Sequence, residues 1–187
     1  NSFTDFRGFN QRNVRMQTQT ALDATYELDA RWRLKGGLSH NTLENSQSVT
    51  GEANSSRSTA EAGVRYVLAS GSWAGYRFAS ADGSYTTLRT LPSAGFYDVG
   101  FTQTDNQLLA NWAISRSTSA EFMLGQRRLS HPNYPQRDFS GMVSRADLRW
   151  NYSGKSALVV GWNRELGVYE TNDFNYRQTD RFSIGPV

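Results

Sequence analysis

Two Ser-His pairs are the residues of this chain whose types could carry out acyl-transfer chemistry. His40 and His131 are the only histidines, and each follows a Leu-Ser dipeptide, giving Ser39-His40 and Ser130-His131. An imidazole that takes the proton of a neighbouring serine hydroxyl makes that oxygen a nucleophile. The sequence shows no acid at a spacing that would orient either ring, and the Gly-x-Ser-x-Gly elbow of lipases is absent. We therefore predict that both pairs are surface-loop residues and that the chain is not an enzyme.

The sequence offers only weaker candidates for a phosphate-binding or metal-binding site. Gly154-Lys155-Ser156 matches the end of a P-loop motif, but Arg149 occupies the position of its first glycine, and an alternating strand pattern follows instead of a helix. The absence of cysteine excludes disulfides and thiolate metal sites. The acidic loop residues are too scattered for a calcium site. We predict a hairpin turn at Gly154, no metal and no cofactor.

Charged and amide side chains that could bind a polar solute recur at every second residue. In the first segment Arg15, Gln19 and Asp23 hold odd positions, whereas Met16 and Leu22 belong to an even set without charge. The next segment repeats the alternation. A period of two places the two sets on opposite faces of a β-strand, and a helix could not segregate them.

This alternation predicts nine strands and essentially no helix. The expected strands cover residues 13–28, 31–41, 58–68, 72–79, 101–114, 119–129, 140–152, 155–166 and 176–184. Short connections rich in Gly, Ser and Asp alternate with long polar ones at 42–57, 80–100, 130–139 and 167–175. All short turns then lie at one end, as periplasmic turns do in outer-membrane barrels.

The predicted fold is all-β, an antiparallel up-and-down transmembrane β-barrel of the bacterial outer membrane, with residues 1–187 as a single domain. No run approaches the ~20 apolar residues of a transmembrane helix. That is expected of a barrel, because only alternate residues of each strand meet lipid. Single-chain bacterial barrels usually have an even number of strands, so we expect the nine strands to be part of a larger barrel.

On this interpretation the odd positions line a lumen and the even positions face lipid. Mixed charges with a slight basic excess along such a wall would favour anionic or polar solutes and bind them only transiently, because tight binding would prevent conduction. The predicted pore-lining residues are Arg15, Gln19, Asp23, Arg31, Arg33, Lys35, Glu61, Arg65, Arg145, Asp147, Arg149 and Glu165.

Aromatic residues flank the short turns and recur towards the long loops. Amphipathic rings are favoured at membrane interfaces, where one end can be apolar and the other hydrated. The predicted interface aromatics are Tyr26, Trp32, Tyr66, Trp73, Trp112, Trp150 and Trp162.

The charge distribution argues against nucleic acid as a partner. The formal net charge is +3, with 20 basic and 17 acidic residues, and the two signs are interleaved along the strands instead of forming a basic stripe. The expected partner is outer-membrane lipid.

The last third of the chain carries a more specific likeness. The segments Arg137-Asp138-Phe139-Ser140-Gly141, Tyr152 to Leu158, and Arg164-Glu165-Leu166-Gly167-Val168-Tyr169 resemble the β-barrel porin group, and within it the EpsL-type outer-membrane proteins associated with exopolysaccharide. The resemblance implies a barrel in the outer membrane of Gram-negative bacteria and a part in exporting or assembling extracellular polysaccharide, with polysaccharide and proteins of an export machinery as partners. It brings no catalytic residues.

Two alternatives remain open at the level of sequence. A soluble lipocalin-like barrel of similar size would place the even face inside around a ligand and the charges in water. An outer-membrane rim hydrolase would use His40 or His131. The alternation of short turns with long loops and the aromatic bands favour the membrane barrel over the lipocalin-like one. The lack of an oriented acid and of the lipase elbow disfavours the hydrolase.

Overall fold

The computed structural model describes residues 15–45, 54–85, 100–132, 135, 138–168 and 176–186. They form nine β-strands: β1 (Arg15–Glu27), β2 (Trp32–Asn45), β3 (Ser55–Val67), β4 (Trp73–Tyr85), β5 (Gly100–Ala113), β6 (Thr118–Ser130), β7 (Phe139–Asn151), β8 (Ala157–Val168) and β9 (Tyr176–Pro186). All nine predicted strands are confirmed. Within the described ranges, no helix is long and apolar enough to cross a membrane.

The strands form one antiparallel sheet in sequence order, β1 to β9, in which each strand pairs with the next. The predicted all-β, up-and-down architecture is therefore confirmed. Within the described residues β1 and β9 are not paired with each other, so the sheet has two edges. Because eight reversals separate them, these two edge strands run in the same direction.

Four short turns of equal length join the strands at one end of the sheet. The last paired residues before each turn are six positions apart in sequence: Glu27 with Arg33, Val67 with Trp73, Ala113 with Ser119, and Asn151 with Ala157. Gly154 lies in the last of these turns, as predicted. Because the four turns have the same length, residues of the same parity stay on the same face of the sheet across every hairpin.

A polar side chain early in three of these turns accepts the backbone N–H two residues later. Asp29 accepts from Arg31 at 2.6 Å, Ser115 from Ser117 at 3.2 Å, and Ser153 from Lys155 at 3.3 Å. Such local bonds replace a backbone turn bond and are the reason that Asp and Ser are frequent in turns. Asp29 also accepts the N–H of Trp32, and these backbone donors, that of Trp32 first, hold the pKa of its carboxyl below the ordinary value.

The β3–β4 turn has Ala69 at the corresponding position; its local bond comes one residue later, where Ser70 accepts the N–H of Ser72 at 3.3 Å, and it also contains a glycine at positive φ. Gly71 adopts a φ of 83°, and its N–H donates to the carbonyl of Leu68 at 3.0 Å. A turn followed by a left-handed residue matches the right-handed twist of the strands in three-residue hairpin loops. Glycine reaches that φ without the clash that a Cβ would create.

The register places the even-numbered strand residues on one face of the sheet and the odd-numbered ones on the other, and the side chain of Leu166 departs from this rule. Directly opposite residues have the same parity at every pairing, from Leu22 with Leu38 in the first pair of strands to Trp162 with Phe182 in the last. Directly opposite side chains of an antiparallel pair project to the same side. We call these two surfaces the even face and the odd face.

The odd face is the more crowded of the two. Most of the strongly buried side chains are at odd positions, among them Ala79, Ala81, Gln103, Asp105 and Leu129. A curved sheet crowds the side chains on its inner side, so we infer that the sheet bends with the odd face on its concave side.

A small apolar cluster lies near the long-loop end of β6 to β8. Leu129, Phe139, Val143 and Leu166 are buried together, and Phe101 packs against them. Leu166 belongs to the even set but reaches the odd side, because the pairing of β7 with β8 ends at Ser144 and Arg164. Its side chain fills the space above Gly141, where a Cβ would come within 2.6 Å of it.

Candidate functional site

Ion pairs occur along the odd face, either between neighbouring strands or between residues two apart on one strand. Glu27 pairs with Arg33 at 3.0 Å and Glu61 with Arg77 at 3.5 Å. Further ion pairs on this face join Asp105 to Arg127 and Arg145 to Asp147. A solute that passes this face therefore meets donors and acceptors in alternation instead of a field of one sign.

The most buried part of this network centres on Asp105. Arg127 binds both carboxylate oxygens, at 2.8 and 3.0 Å, and Gln103 donates to the same carboxylate at 2.8 Å. The side chain of Asp105 is 5% exposed and that of Arg127 is 25% exposed. Arg127 also donates to the main-chain carbonyl of Leu166 at 3.1 Å, which ties β6 to β8 across the intervening strand.

A concave depression of about 300 Å³ adjoins this network on the odd face. Four arginines, two amides and a carboxylate line it above a base that includes Met123, Val143 and Leu166: Arg77, Gln107, Arg127, Arg145, Asn163, Arg164 and Glu165. Arginines and amides offer N–H donors, and the carboxylate and amide oxygens accept. This arrangement suits a solute with many hydroxyl groups, because each hydroxyl can both donate and accept.

Most of the predicted pore-lining residues share the odd face. Strand positions on that face are held by Gln19, Asp23, Arg33, Lys35, Glu61, Arg65, Arg145, Asp147, Arg149 and Glu165. Arg15 begins β1, but its side chain is outside the described residues. Sequence reasoning missed Arg77, Asp105 and Arg127, although each stands at an odd position within a predicted or observed strand.

Arg31 is a correction to this set. It lies in the β1–β2 turn, and its guanidinium donates to the hydroxyl of Tyr66 at 3.0 Å. Tyr66 is an even-face residue in register with Trp32. The turn redirects the side chain, so Arg31 lies with the aromatic residues at the turn end and not with the odd-face ladder.

The even face carries an uncharged apolar band next to the short turns. Every large hydrophobic residue that is exposed among the described residues has an even number, from Met16 to Ile184. In β6 the even positions from Thr118 to Gln126 contain no charge, a stretch of roughly 27 Å along a strand. With the usual tilt this approaches the ~25 Å band of outer-membrane barrels.

Charged residues on the even face lie only towards the long loops. Across the described strands these are Glu44, Asp82, Arg128, Arg164 and Asp180. Arg164 and Asp180 form a bidentate pair at 2.6 and 3.1 Å. The even face therefore changes from apolar to polar along each strand, in the direction of the long loops.

Six of the seven predicted interface aromatics lie on the even face. Tyr26, Trp32, Trp112, Trp150 and Trp162 are exposed there, and Trp32 packs edge-on against Tyr66 with ring centroids 5.0 Å apart. Trp73 is a correction, because its odd position places it on the other face. There the guanidinium of Arg65 stacks over its ring, 3.5 Å from the centroid.

The prediction that both Ser-His pairs are surface-loop residues is wrong, because Ser39 and His40 lie within β2 and Ser130 ends β6. In neither pair does the serine bind its neighbouring histidine. Ser39 and His40 point to opposite faces, and Ser130 donates to the carboxylate of Asp138 at 3.1 Å, not to a histidine. His131 is 3% exposed, with Nδ1 3.7 Å from Asp138. This carboxylate also accepts the backbone N–H of His131, so the three residues brace the β6–β7 connection.

His40 has a serine partner that the sequence did not suggest. Its Nδ1 lies 2.9 Å from the hydroxyl of Ser58 on β3, and Nε2 lies 3.5 Å from that of Ser56. The register places Asp82 beside Ser58, but Thr102 donates to that carboxylate and the imidazole is not its partner. The residues therefore link strands β2 and β3 on the even face.

Metal ligands do not cluster anywhere in the part of the chain that the structure describes. Comparison with models of known protein families finds no match. No curated protein is detectably similar to the chain. The two faces of the sheet are therefore the features of the molecule that bear on its function.

Proposed function

We propose that the nine strands form part of the wall of a bacterial outer-membrane β-barrel that acts, without catalysis, as a channel or export conduit for extracellular polysaccharide. The observation that carries the proposal is the segregation by parity: exposed large apolar side chains at even positions, and ion-paired side chains at odd positions. In this arrangement the even face contacts lipid and the odd face lines the lumen.

Exposed apolar area favours a lipid environment for the even face. Leu22 and Phe182 are each 69% exposed, at opposite edges of the sheet, and apolar side chains lie between them. Soluble monomers rarely expose continuous apolar patches larger than a few hundred Å². A soluble lipocalin-like barrel would bury this face inside, whereas the crowded side chains are mainly on the odd face.

The odd face supports a hydrated polymer as the solute. Its arginines are matched by carboxylates, as in the pairs of Arg33 with Glu27 and Arg127 with Asp105. A wall of paired charges provides many weak donors and acceptors and no strong trap for a simple ion, which conduction requires. The likeness of the last third to exopolysaccharide-associated proteins motivates polysaccharide as the choice of polymer.

Arginine substitutions on the two faces of β1 test the lipid-facing assignment. Leu22→Arg places a cation on the even face, where an Arg at the bilayer midplane costs roughly 2 to 4 kcal/mol. Gln19→Arg places the same side chain on the odd face of the same strand. We expect Leu22→Arg to block assembly into outer membranes, measured by membrane fractionation and resistance to protease.

The matched Gln19→Arg variant is expected to assemble normally and to change only the single-channel conductance. Equal assembly of both variants would contradict the assignment of faces. A purified protein that is monomeric and stable in buffer without detergent would contradict the membrane proposal as a whole.

A further inference from the structure

We propose that a groove on the even face of β4 to β7 binds a phosphate-bearing lipid of the membrane leaflet on the long-loop side. The groove consists of two adjoining depressions of about 450 Å³ each, which share Asn106 and Gln126. The proposal rests on the proposed function, because it requires the even face to contact lipid.

Three successive rungs of the sheet give the groove a polarity gradient. The rung nearest the turns pairs Leu108 with Leu124, next to Tyr76. The middle rung pairs Asn106 with Gln126, and the third pairs Thr104 with Arg128. Same-face rungs are two residues apart, about 7 Å along a strand. The groove therefore changes from apolar to amide to cationic over about 14 Å.

This order matches the parts of a lipid in a leaflet. Leu108, Leu124 and Met142 are at least half exposed and would lie against acyl chains. The amides of the middle rung would meet the ester or amide linkages, and Arg128 would meet the phosphate. Hydrogen bonds between a guanidinium and a phosphate are among the stronger ones in proteins.

Two contacts orient the polar part of the groove. The hydroxyl of Tyr76 donates to the carbonyl oxygen of Asn106 at 2.5 Å, which directs the NH₂ of that amide away from Tyr76 as a donor. Asp138 also lines the upper depression, but its oxygens accept from Ser130 and from the backbone of His131. Its carboxylate is thus engaged in the β6–β7 connection.

Arg128 differs from the other cation on this face. Arg164 is neutralised by its bidentate pair with Asp180, whereas none of the ion pairs formed between described residues includes Arg128. A cation above an apolar band with no carboxylate bound to it has charge available for an anionic headgroup. Charge complementarity therefore favours a phosphate-bearing lipid over a neutral one.

The test compares lipid retention by detergent-purified, folded protein in native mass spectrometry. The probes are phosphatidic acid, a diacylglycerol with the same chains, and inorganic phosphate. We expect the unmodified protein to retain phosphatidic acid in preference to diacylglycerol, and not to retain inorganic phosphate alone. Arg128→Gln should lower the retention of phosphatidic acid about tenfold, the effect of losing one charge-assisted hydrogen bond.

Arg164→Gln is the matched control, because it removes a cation from the same face and the same end of the strands but one already paired. It should leave retention unchanged. Leu124→Asn should weaken both lipids, because it alters the apolar rung. Equal retention by the Arg128→Gln and unmodified proteins, or equal retention of the two lipids, would overturn the proposal.

Failure of this inference is distinguishable from failure of the proposed function. Protein that inserts into membranes but retains no phosphatidic acid would overturn the lipid site alone. Protein that remains folded in detergent-free buffer and does not insert would overturn both.

Discussion

Asp105 shows how one buried carboxylate can organise the odd face. It accepts from Arg127 and Gln103. Arg57, on β3, interacts electrostatically with both Asp105 and Arg127. A carboxylate that is withdrawn from water must have its lone pairs satisfied, and here two neighbouring side chains supply the donors.

Asp105→Asn is predicted to be strongly destabilising. It leaves the guanidinium of Arg127 without its counter-charge beside Arg57, and removing one partner of a buried pair typically costs about 3 to 5 kcal/mol. Because Arg127 is one-quarter exposed, we expect the lower end of that range. Denaturant unfolding of the protein in detergent micelles measures the change.

Glu121→Gln is the control for that prediction. Glu121 lies on the same face but is exposed, and it accepts one hydrogen bond from Asn111 at 3.2 Å. Its loss should cost less than about 1 kcal/mol. The double variant Asp105→Asn with Arg127→Met should recover part of the stability. Similar losses for Asp105→Asn and Glu121→Gln would refute a special role for the buried pair.

At the scale of elements, the four short turns reach one length with a local side-chain bond at one of two positions. Three have Asp or Ser at the first loop position, and the fourth has Ala69 and a glycine at positive φ two residues later. In the fourth turn the left-handed glycine accompanies a local bond that Ser70 accepts from the N–H of Ser72, one position later than in the other three turns.

Gly71→Ala is predicted to destabilise the sheet by about 1 to 2 kcal/mol, the cost of a Cβ in the left-handed region. Gly154→Ala is the matched control, because it lies in the equivalent β7–β8 turn and has no positive φ. A Cβ at either glycine would have no atom within 4 Å, so steric contact does not differ. Unfolding midpoints of the two variants should differ accordingly, and equal values would exclude the turn conformation as the cause.

The sequence was sufficient to predict every strand, because a period of two is visible wherever one face is apolar. It underestimated β4, which continues from the expected end at Ala79 to Tyr85. There Ser80, Asp82 and Ser84 occupy the even face and Ala81 and Gly83 the odd face, so the pattern of apolar even and polar odd residues disappears while backbone pairing continues. The apolar band thus predicts that a strand is present but does not predict where the strand ends.

The candidate site was predictable in its faces but not in its contacts. Parity placed ten of the residues that we predicted to line a pore on the odd face, where the register also has them. Arg31 was misplaced because a turn interrupts the parity rule, and Trp73 because proximity to a turn does not determine the face. The pairing of Asp105 with Arg127 depends on the register of β5 and β6, which a shift of one residue would change.

At the scale of the molecule, cysteine scanning of β6 tests both faces at once. The chain contains no cysteine, so single cysteines at positions 120–126 can be introduced without background. In protein reconstituted into vesicles, we expect a charged thiol reagent to label cysteines at odd positions. A lipid-soluble quencher should reduce the fluorescence of a label attached to cysteines at even positions. Labelling that lacks a period of two would contradict the proposed division into lumen and lipid faces.

The shared direction of β1 and β9 limits how such a sheet can evolve and close. Duplication of a hairpin adds two strands, so it widens the wall but never reverses the last strand. A seam between the two edges would therefore have to be parallel, whatever the number of duplications. An all-antiparallel closure needs an odd number of additional strands. Hairpin duplication cannot supply an odd number, so a different step is required.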